Sequence, residues 1–467
     1  MKLRLLAFLA LLASEAGHAA IADVAGIPQV RIEVARNGST WSADFQFDRA
    51  VKAWVFPRSD VIVENGKPWR EQSWVVATRG VKLARRGSYD AFVADRGELP
   101  LHIRIRFTPV AQRLQADYPP ALAFTDGSIA LYIAQFDLFP MDSLAQVRAL
   151  PNDLNNQVVP AADLRYLFRD ASGPVLLEGR RVLAATTADK DTYVLFGATR
   201  PLETPYLVAV LDPKLPGWIK DSIASAVPAL LSRYTQELGP IPDVKPTIMV
   251  SWAGATPGIV SRAGSALHGL IVMTYEGTGM LEESAEQRAQ GLWFIAHEAA
   301  HFWLGQIVSY QYARDAWITE GGADLLAIRA VAEADPAYDP RIELNHAIED
   351  CISLTHRQGV QSARERNEHR AYYACGTVFG LVAEAGAGRS FYKFVRGLID
   401  ANRAAGIVTR AEWLAALDTA TRRPDLSRDI ARLLDRGAAD PKEFIADLLT
   451  RAGVDFELDA RGIPQLR

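Results

Sequence analysis

Apolar and polar positions alternate with period two along much of the first half of the chain. The clearest run is Leu101-His102-Ile103-Arg104-Ile105-Arg106-Phe107, an alternation that turns one face of a strand inward and leaves the other in water. Shorter runs predict further strands over 30–34, 41–47, 53–56, 73–76, 130–133, 175–177 and 193–196. Asn65-Gly66-Lys67-Pro68 and Asp126-Gly127 supply turn chemistry between them. Strands at that spacing predict a sandwich or saddle of antiparallel sheet from about 28 to 210. This half shows no chemistry-bearing set of residues and reads as a supporting or substrate-guiding domain.

Past Asp212-Pro213-Lys214-Leu215-Pro216-Gly217 the period changes. Trp218, Ile219, Ile223, Val227, Leu230, Leu231, Tyr234 and Leu238 recur at helical spacing, Pro228 predicts a kink, and Gly239-Pro240 ends the run. A strand is expected over 246–252. Another is expected over 269–275 (GLIVMTY), apolar without alternation and therefore buried on both faces. Ser284 with Gln287 three residues on is a capping box for a helix running to about Gly305. A second helix carries Glu320 and Asp324 onward through Leu325, Leu326 and Ile328. Helices are expected through the remainder, with Phe379, Leu381 and Val382, then Phe391, Phe394, Val395 and Leu398, on their apolar faces. Short helices end the chain over about 410–449.

Composition narrows the class. A length of 467 residues predicts two or three domains, and 49% hydrophobic with 23% charged residues describes a soluble globular protein. A net charge of −4, with no basic run, gives no reason to expect nucleic acid or an anionic membrane as partner. At the start, Lys2 and Arg4 precede a short apolar stretch, Leu5 to Ala13, and small residues near Gly17-His18-Ala19. That is the layout of a signal peptide over 1–20, too short to span a bilayer. The expected product is an exported protein, periplasmic or secreted, with no membrane span left after removal. The two cysteines, Cys351 and Cys375, are either a disulfide or two separate buried thiols.

The chemistry concentrates in Ala296–Asp324, AHEAAHFWLGQIVSYQYARDAWITEGGAD. Positions i and i+4 share a helix face, so His297 and His301 can offer two imidazole nitrogens to one ion. Glu320, after eighteen intervening residues, is the third candidate ligand. Three ligands with a fourth position left to water are the layout of a catalytic zinc site. Glu298 is beside the first ligand, placed to take a proton from that water. Phe294, Ile295, Ala296, Ala299, Ala300, Phe302, Trp303 and Leu304 surround the motif with apolar surface, where charged and basic groups need compensation that a metal supplies. Asp324, one turn beyond Glu320, is either a partner for a ligand histidine's other nitrogen or a helix-surface carboxylate. His268, His346, His356 and His369 have no metal-like spacing.

The run HEAAHFWLGQ, followed by Asp315-Ala316-Trp317-Ile318-Thr319-Glu320-Gly321 at the eighteen-residue spacing, resembles the gluzincin metallopeptidases of the alanyl aminopeptidase N family. The resemblance implies an α+β fold: a β-rich N-terminal domain (21–211), a thermolysin-like zinc metallopeptidase domain (212–400) and a short helical C-terminal region (401–467). It implies one zinc ion per chain, and for Tyr373, three residues before Gly376, a hydroxyl aimed at the oxyanion of the reaction. Tyr372 competes for that role. Set beside the resemblance, the short stretch after the catalytic region leads to the expectation that the family's large C-terminal helical domain is missing or reduced, with a more open cleft. One departure bears on substrate. Where the family has Gly-x-Met-Glu-Asn, whose Glu grips a free α-amine, this chain has Ala263-Gly264-Ser265-Ala266-Leu267-His268-Gly269-Leu270. Aligning Gly269 puts Ala266 in the Glu position, with His268 beside the segment that lines the cleft in relatives. Ala266, His268 and Gly269 are therefore the candidate substrate-binding residues, and strict aminopeptidase action is not expected.

The expected function is hydrolysis of a peptide or small-protein substrate through a zinc-bound water with Glu298 as general base. The alternatives are a zinc hydrolase of a non-peptide or modified-peptide substrate and a non-catalytic binding protein stabilised by its metal.

Overall fold

A computed structural model describes residues 26–467 except 116, 153, 155, 156, 189, 190, 205, 206 and 242–244. The expected signal peptide lies outside the described residues. The rest divides into two compact units. One takes the described residues up to Pro216 together with Lys245–Glu282, and the other takes the helix Gly217–Leu238 together with Glu283–Arg467.

The first unit is β-rich, and the period-two runs become its strands. A six-stranded sheet runs, in spatial order, 185–187, 163–170, 29–37, 40–47, 102–107, 74–76. Inward residues such as Ile103, Ile105 and Phe107 of His102–Phe107 alternate with exposed ones, and join Val30, Ile32, Phe45 and Phe92 in the core. The pairing of Gln29–Asn37 with Asp163–Asp170 is parallel, a departure from the all-antiparallel expectation. Alternation fixes which face of a strand is buried but not its neighbour, and these two strands are far apart in sequence.

A further sheet of this unit has strand order 202–203, 208–211, 247–254, 270–276, 261–267, with the middle three parallel. Leu270–Glu276 sits between two neighbours, and its first four residues are all buried, as its continuous apolar run implies. Ser261–Leu267 lies at the edge and returns through His268 and Gly269, whose φ of +63° suits a glycine.

The second unit is helical. Gly217–Leu238 buries Ile219, Ile223, Val227, Leu230, Leu231, Tyr234 and Leu238, the stripe read from the sequence apart from Trp218, which is only half-buried, and continues through Pro228. Its Tyr234 hydroxyl donates to the Ala296 carbonyl at 3.1 Å. At about 1.5–3 kcal/mol for each fully buried large side chain, that stripe far outweighs the backbone hydrogen bond Pro228 removes. Four further helices frame the site: the motif helix Ala285–Ala300, the glutamate helix Trp317–Ala334, the cysteine helix Pro340–Leu354 and the tyrosine helix Arg370–Gly386. Helices Phe391–Asn402, Arg410–Thr421, Pro424–Arg436 and Pro441–Ala452 follow. The chain then closes in a hairpin of Phe456–Leu458 with Pro464–Leu466, which the purely helical expectation for this region missed. No described helix is long and apolar enough to cross a membrane.

Candidate metal centre

The motif helix begins where Ser284 Oγ accepts from the Gln287 backbone N–H at 3.1 Å. It ends at Ala300, with His301 as its C-terminal cap. Gly305, at φ +146°, then turns the chain, and any side chain there would press on the His301 carbonyl. The turn aims the Leu304 carbonyl at His301 Nδ1, 2.9 Å away. A carbonyl only accepts, so Nδ1 carries the proton and His301 Nε2 presents a lone pair.

The other ligands converge on that lone pair. His297 Nε2 lies 3.1 Å from His301 Nε2. Glu320 Oε2 lies 3.6 Å from the first nitrogen and 3.5 Å from the second. All three residues are buried, and Glu320 Oε2 has no hydrogen-bond partner among the described residues. On its other edge His297 Nδ1 lies 2.7 Å from Asp324 Oδ1. Two imidazole nitrogens and a carboxylate oxygen facing one another out of water repel unless a cation lies among them. A tetrahedral zinc with bonds of about 2.0–2.1 Å separates its ligand atoms by roughly 3.4 Å, and this triangle has that size. His297, His301 and Glu320 are the cluster of metal-ligand type among the described residues.

The surrounding groups are tuned by burial and by one another. Burial alone would push the His297 ring down, but its contacts with Asp324 and Glu320 outweigh that and hold its pKa at about 10. Burial would raise Glu320, yet the electrostatic pull of the His301 and His297 rings beside it outweighs that and brings it to about 2. Glu298, buried with Oε2 unpartnered among the described residues, is raised chiefly by its burial. Tyr373 stacks on the His297 ring, with centroids 5.7 Å apart and planes at 23°. Burial first, then the charge of Glu320 and a hydrogen bond to it, push the Tyr373 hydroxyl well above its ordinary value, so it stays protonated. Tyr372 is engaged elsewhere, its hydroxyl accepting from the Arg364 backbone N–H at 3.3 Å.

His297, Glu298, His301, Glu320, Asp324 and Tyr373 are thus brought together within the second unit. Ala266, His268 and Gly269 stay with the hairpin of the first unit, with Ala266 buried and His268 exposed at the turn. Three features had escaped the sequence reading. Trp293, one turn before His297, sets its ring 5.9 Å from that histidine, and only its i,i+4 spacing pointed there. Gly321 and Gly376 let the glutamate and tyrosine helices touch backbone to backbone, since a methyl on either would overlap the other helix. Arg370 lies 3.6 Å from Asp324, with no motif to announce it.

Residues 265–425 match the model of the peptidase family M1 domain. No curated protein matches the chain. Among solved structures, native yeast LTA4 hydrolase superposes with a TM-score of 0.53 at 13% identity, over 88% of this chain and 68% of that one. The native leukotriene A4 hydrolase of Saccharomyces cerevisiae gives 0.51 at 13% identity, over 89% and 68%. The M1 zinc metallopeptidase from Deinococcus radiodurans gives 0.49 at 14% identity, over 88% and 93%. At such identities the likeness to the yeast structures shows the fold. The family match and the buried His-His-Glu triangle add the chemistry: the chain carries a peptidase family M1 domain of the gluzincin, aminopeptidase N-like kind and is a zinc metallopeptidase.

Proposed function

We propose that this chain is an exported enzyme that hydrolyses peptide bonds in peptides or small proteins without requiring a free N-terminus. The observation that carries the reading is the buried triangle of His297, His301 and Glu320 with Glu298 beside it, its Oε2 unpartnered among the described residues. Zinc held by the triangle would supply Lewis-acid polarisation of the scissile carbonyl and acidify a water. Glu298 takes the proton of the attacking water and returns it to the amine nitrogen as the C–N bond breaks. Its raised pKa moves it toward neutral pH, where a group serves both as base and as acid. Tyr373, held protonated, donates to the oxygen on which negative charge develops.

The absence of an amine requirement rests on the edge strand. From Ser261 to Leu270 the sequence SRAGSALHGL offers no carboxylate, and Ala266 stands where the resemblance puts the amine-binding glutamate. Glu276, at the far end of the neighbouring strand, accepts a hydrogen bond from Thr256 at 2.6 Å. Export is supported by the leader-like first twenty residues and by the Cys351–Cys375 disulfide, a bond suited to an oxidising compartment.

The test is turnover of matched peptides with free and acetylated N-termini by protein of measured zinc content. Comparable cleavage of both supports the proposal, whereas cleavage of the free forms alone restores an aminopeptidase. Cleavage of neither by zinc-loaded protein sinks peptide hydrolysis and leaves a non-peptide bond as the substrate. Glu298→Gln should lower kcat by about 10²- to 10⁴-fold with zinc retained, and full activity in that variant would remove Glu298 from the reaction.

A further inference from the structure

Asp324 is a buried carboxylate with two neighbours of opposite kind. Its Oδ1 faces His297 Nδ1 at 2.7 Å, and its Oδ2 lies 3.6 Å from an Nη of Arg370. The Asp324 side chain is 4% exposed, so neither oxygen draws much compensation from water. Arg370 is itself braced: its Nε donates to Asp350 Oδ2 at 2.7 Å. One guanidinium therefore spans carboxylates from two helices, Asp324 of the glutamate helix and Asp350 of the cysteine helix, from the first residue of the tyrosine helix.

We propose that Arg370 is a positioning residue for the metal centre: its guanidinium holds the Asp324 carboxylate in the orientation that fixes the His297 ring, and so sets how tightly zinc is bound. A carboxylate fastened by one oxygen can rotate about its last bond, and each rotation moves the acceptor away from the imidazole N–H. A cation on the second oxygen removes that freedom. Arginine suits the task because its fork presents nitrogens in diverging directions from one rigid plane, which a lysine ammonium does not. Burial would lower the Arg370 pKa, but the charges of Asp324, Asp350 and Glu343 and the hydrogen bond to Asp350 raise it, so the cation persists throughout the working pH range. The chain of contacts runs from His297 through Asp324 and Arg370 to Asp350, and joins the motif helix to the glutamate, tyrosine and cysteine helices.

The proposal rests on the zinc reading and is tested on zinc affinity rather than on turnover. Dissociation constants are measured by chelator competition for the wild type, Arg370→Gln, Asp324→Asn and the double variant, with the melting temperature of each metal-free protein as the control for folding. Losing the carboxylate partner of a ligand histidine weakens metal binding about 10- to 100-fold, and losing Arg370 should cost a smaller factor, about 3- to 30-fold. If Arg370 acts through Asp324, the arginine change adds nothing in the Asp324→Asn background. Wild-type affinity in Arg370→Gln overturns the proposal, as does a double variant whose losses simply multiply. A lowered metal-free melting temperature with unchanged affinity overturns it too, because it assigns Arg370 to the fold alone. If Arg370→Gln does not fold, Arg370→Lys takes its place in the same cycle, since it keeps the charge but loses the fork. A wild type that binds no zinc would sink the metal reading itself, which separates that failure from the failure of Arg370's role.

Discussion

Asp324 Oδ1 lies 2.7 Å from His297 Nδ1, on the ring edge opposite the Nε2 atom that faces His301. A carboxylate only accepts, so this contact keeps the His297 proton on Nδ1 and leaves Nε2 as the metal-facing lone pair. Asp324→Asn should weaken zinc binding about 10- to 100-fold. In the metal-free protein it should also lower the His297 pKa, because burial, which pushes the ring down, then meets less opposition. Chelator competition and histidine NMR check the two halves, and an unmoved histidine would deny the contact its role.

Zinc binding should depend on pH with a defined sign. The metal-free His297 is raised to about 10, while Glu320 is brought to about 2. Near neutral pH the carboxylate is already ionised, but the imidazole must shed a proton before it can bind a metal. Affinity should therefore rise about tenfold per pH unit from pH 6 toward 9, with about one proton released per ion. The same shift stabilises the metal-free fold. That contribution is fully present below the unfolded histidine value, about 6.5, and is lost as pH climbs through 10. Calorimetry in buffers of different ionisation heat reads the proton directly, and a flat profile between pH 6 and 9 would contradict the argument.

The backbone contact between the glutamate and tyrosine helices makes a prediction about stability. Gly321 follows Glu320 directly, and Gly376 comes three residues after Tyr373, so this contact sets the separation of ligand and phenol. A methyl on Gly376 would overlap the Trp317 carbonyl, which is backbone and has nowhere to go. Thr377 Oγ1 donates to the Gly321 carbonyl at 3.4 Å and holds the helices together. Gly376→Ala should cost about 1–3 kcal/mol by forcing the helices apart, and should lower kcat with it. Gly397, inside Phe391–Asn402 with open space around its Cα, is the control. Gly397→Ala should be neutral or stabilising by up to about 1 kcal/mol. Denaturant unfolding of both variants settles the matter, and equal stabilities would mean the close approach is soft.

What could be read in advance follows from the range of each signal. His297, Glu298 and His301 were legible because helical periodicity acts over four residues and apolar neighbours make buried imidazoles conspicuous. Glu320 lies on another helix and was reached only through its eighteen-residue spacing from the motif, and Tyr373 only through family resemblance, since no local pattern measures distance across a fold. Arg370 was invisible for the same reason, as one arginine among many with no spacing to mark it. The parallel pairing of Gln29–Asn37 with Asp163–Asp170 and the Phe456–Leu458 hairpin failed differently. Alternation orients a strand without naming its partner, and three-residue strands are too short to show a period. At Ala266 the departure from the family pattern was visible directly, because an alanine cannot pair with an ammonium group.

The Cys351–Cys375 disulfide resolves the alternative left open by the sequence, and it ties the cysteine helix to the tyrosine helix two residues beyond Tyr373. The bond closes a loop with a sequence separation of 24, for which the chain-entropy account gives roughly 3 kcal/mol of stabilisation. Both cysteines are fully buried, so a reductant has little access to the folded protein. Thiol treatment under native conditions should leave activity intact for long periods, and the same treatment in mild denaturant should abolish it. Replacing both residues by alanine should lower stability by roughly 3 kcal/mol in denaturant unfolding. The same variant should lower kcat more than it raises KM, because the phenol's helix loses its tether while the zinc ligands keep theirs. A double-alanine protein with unchanged kcat would show that the backbone contact at Gly321 and Gly376 holds Tyr373 in place without the bridge.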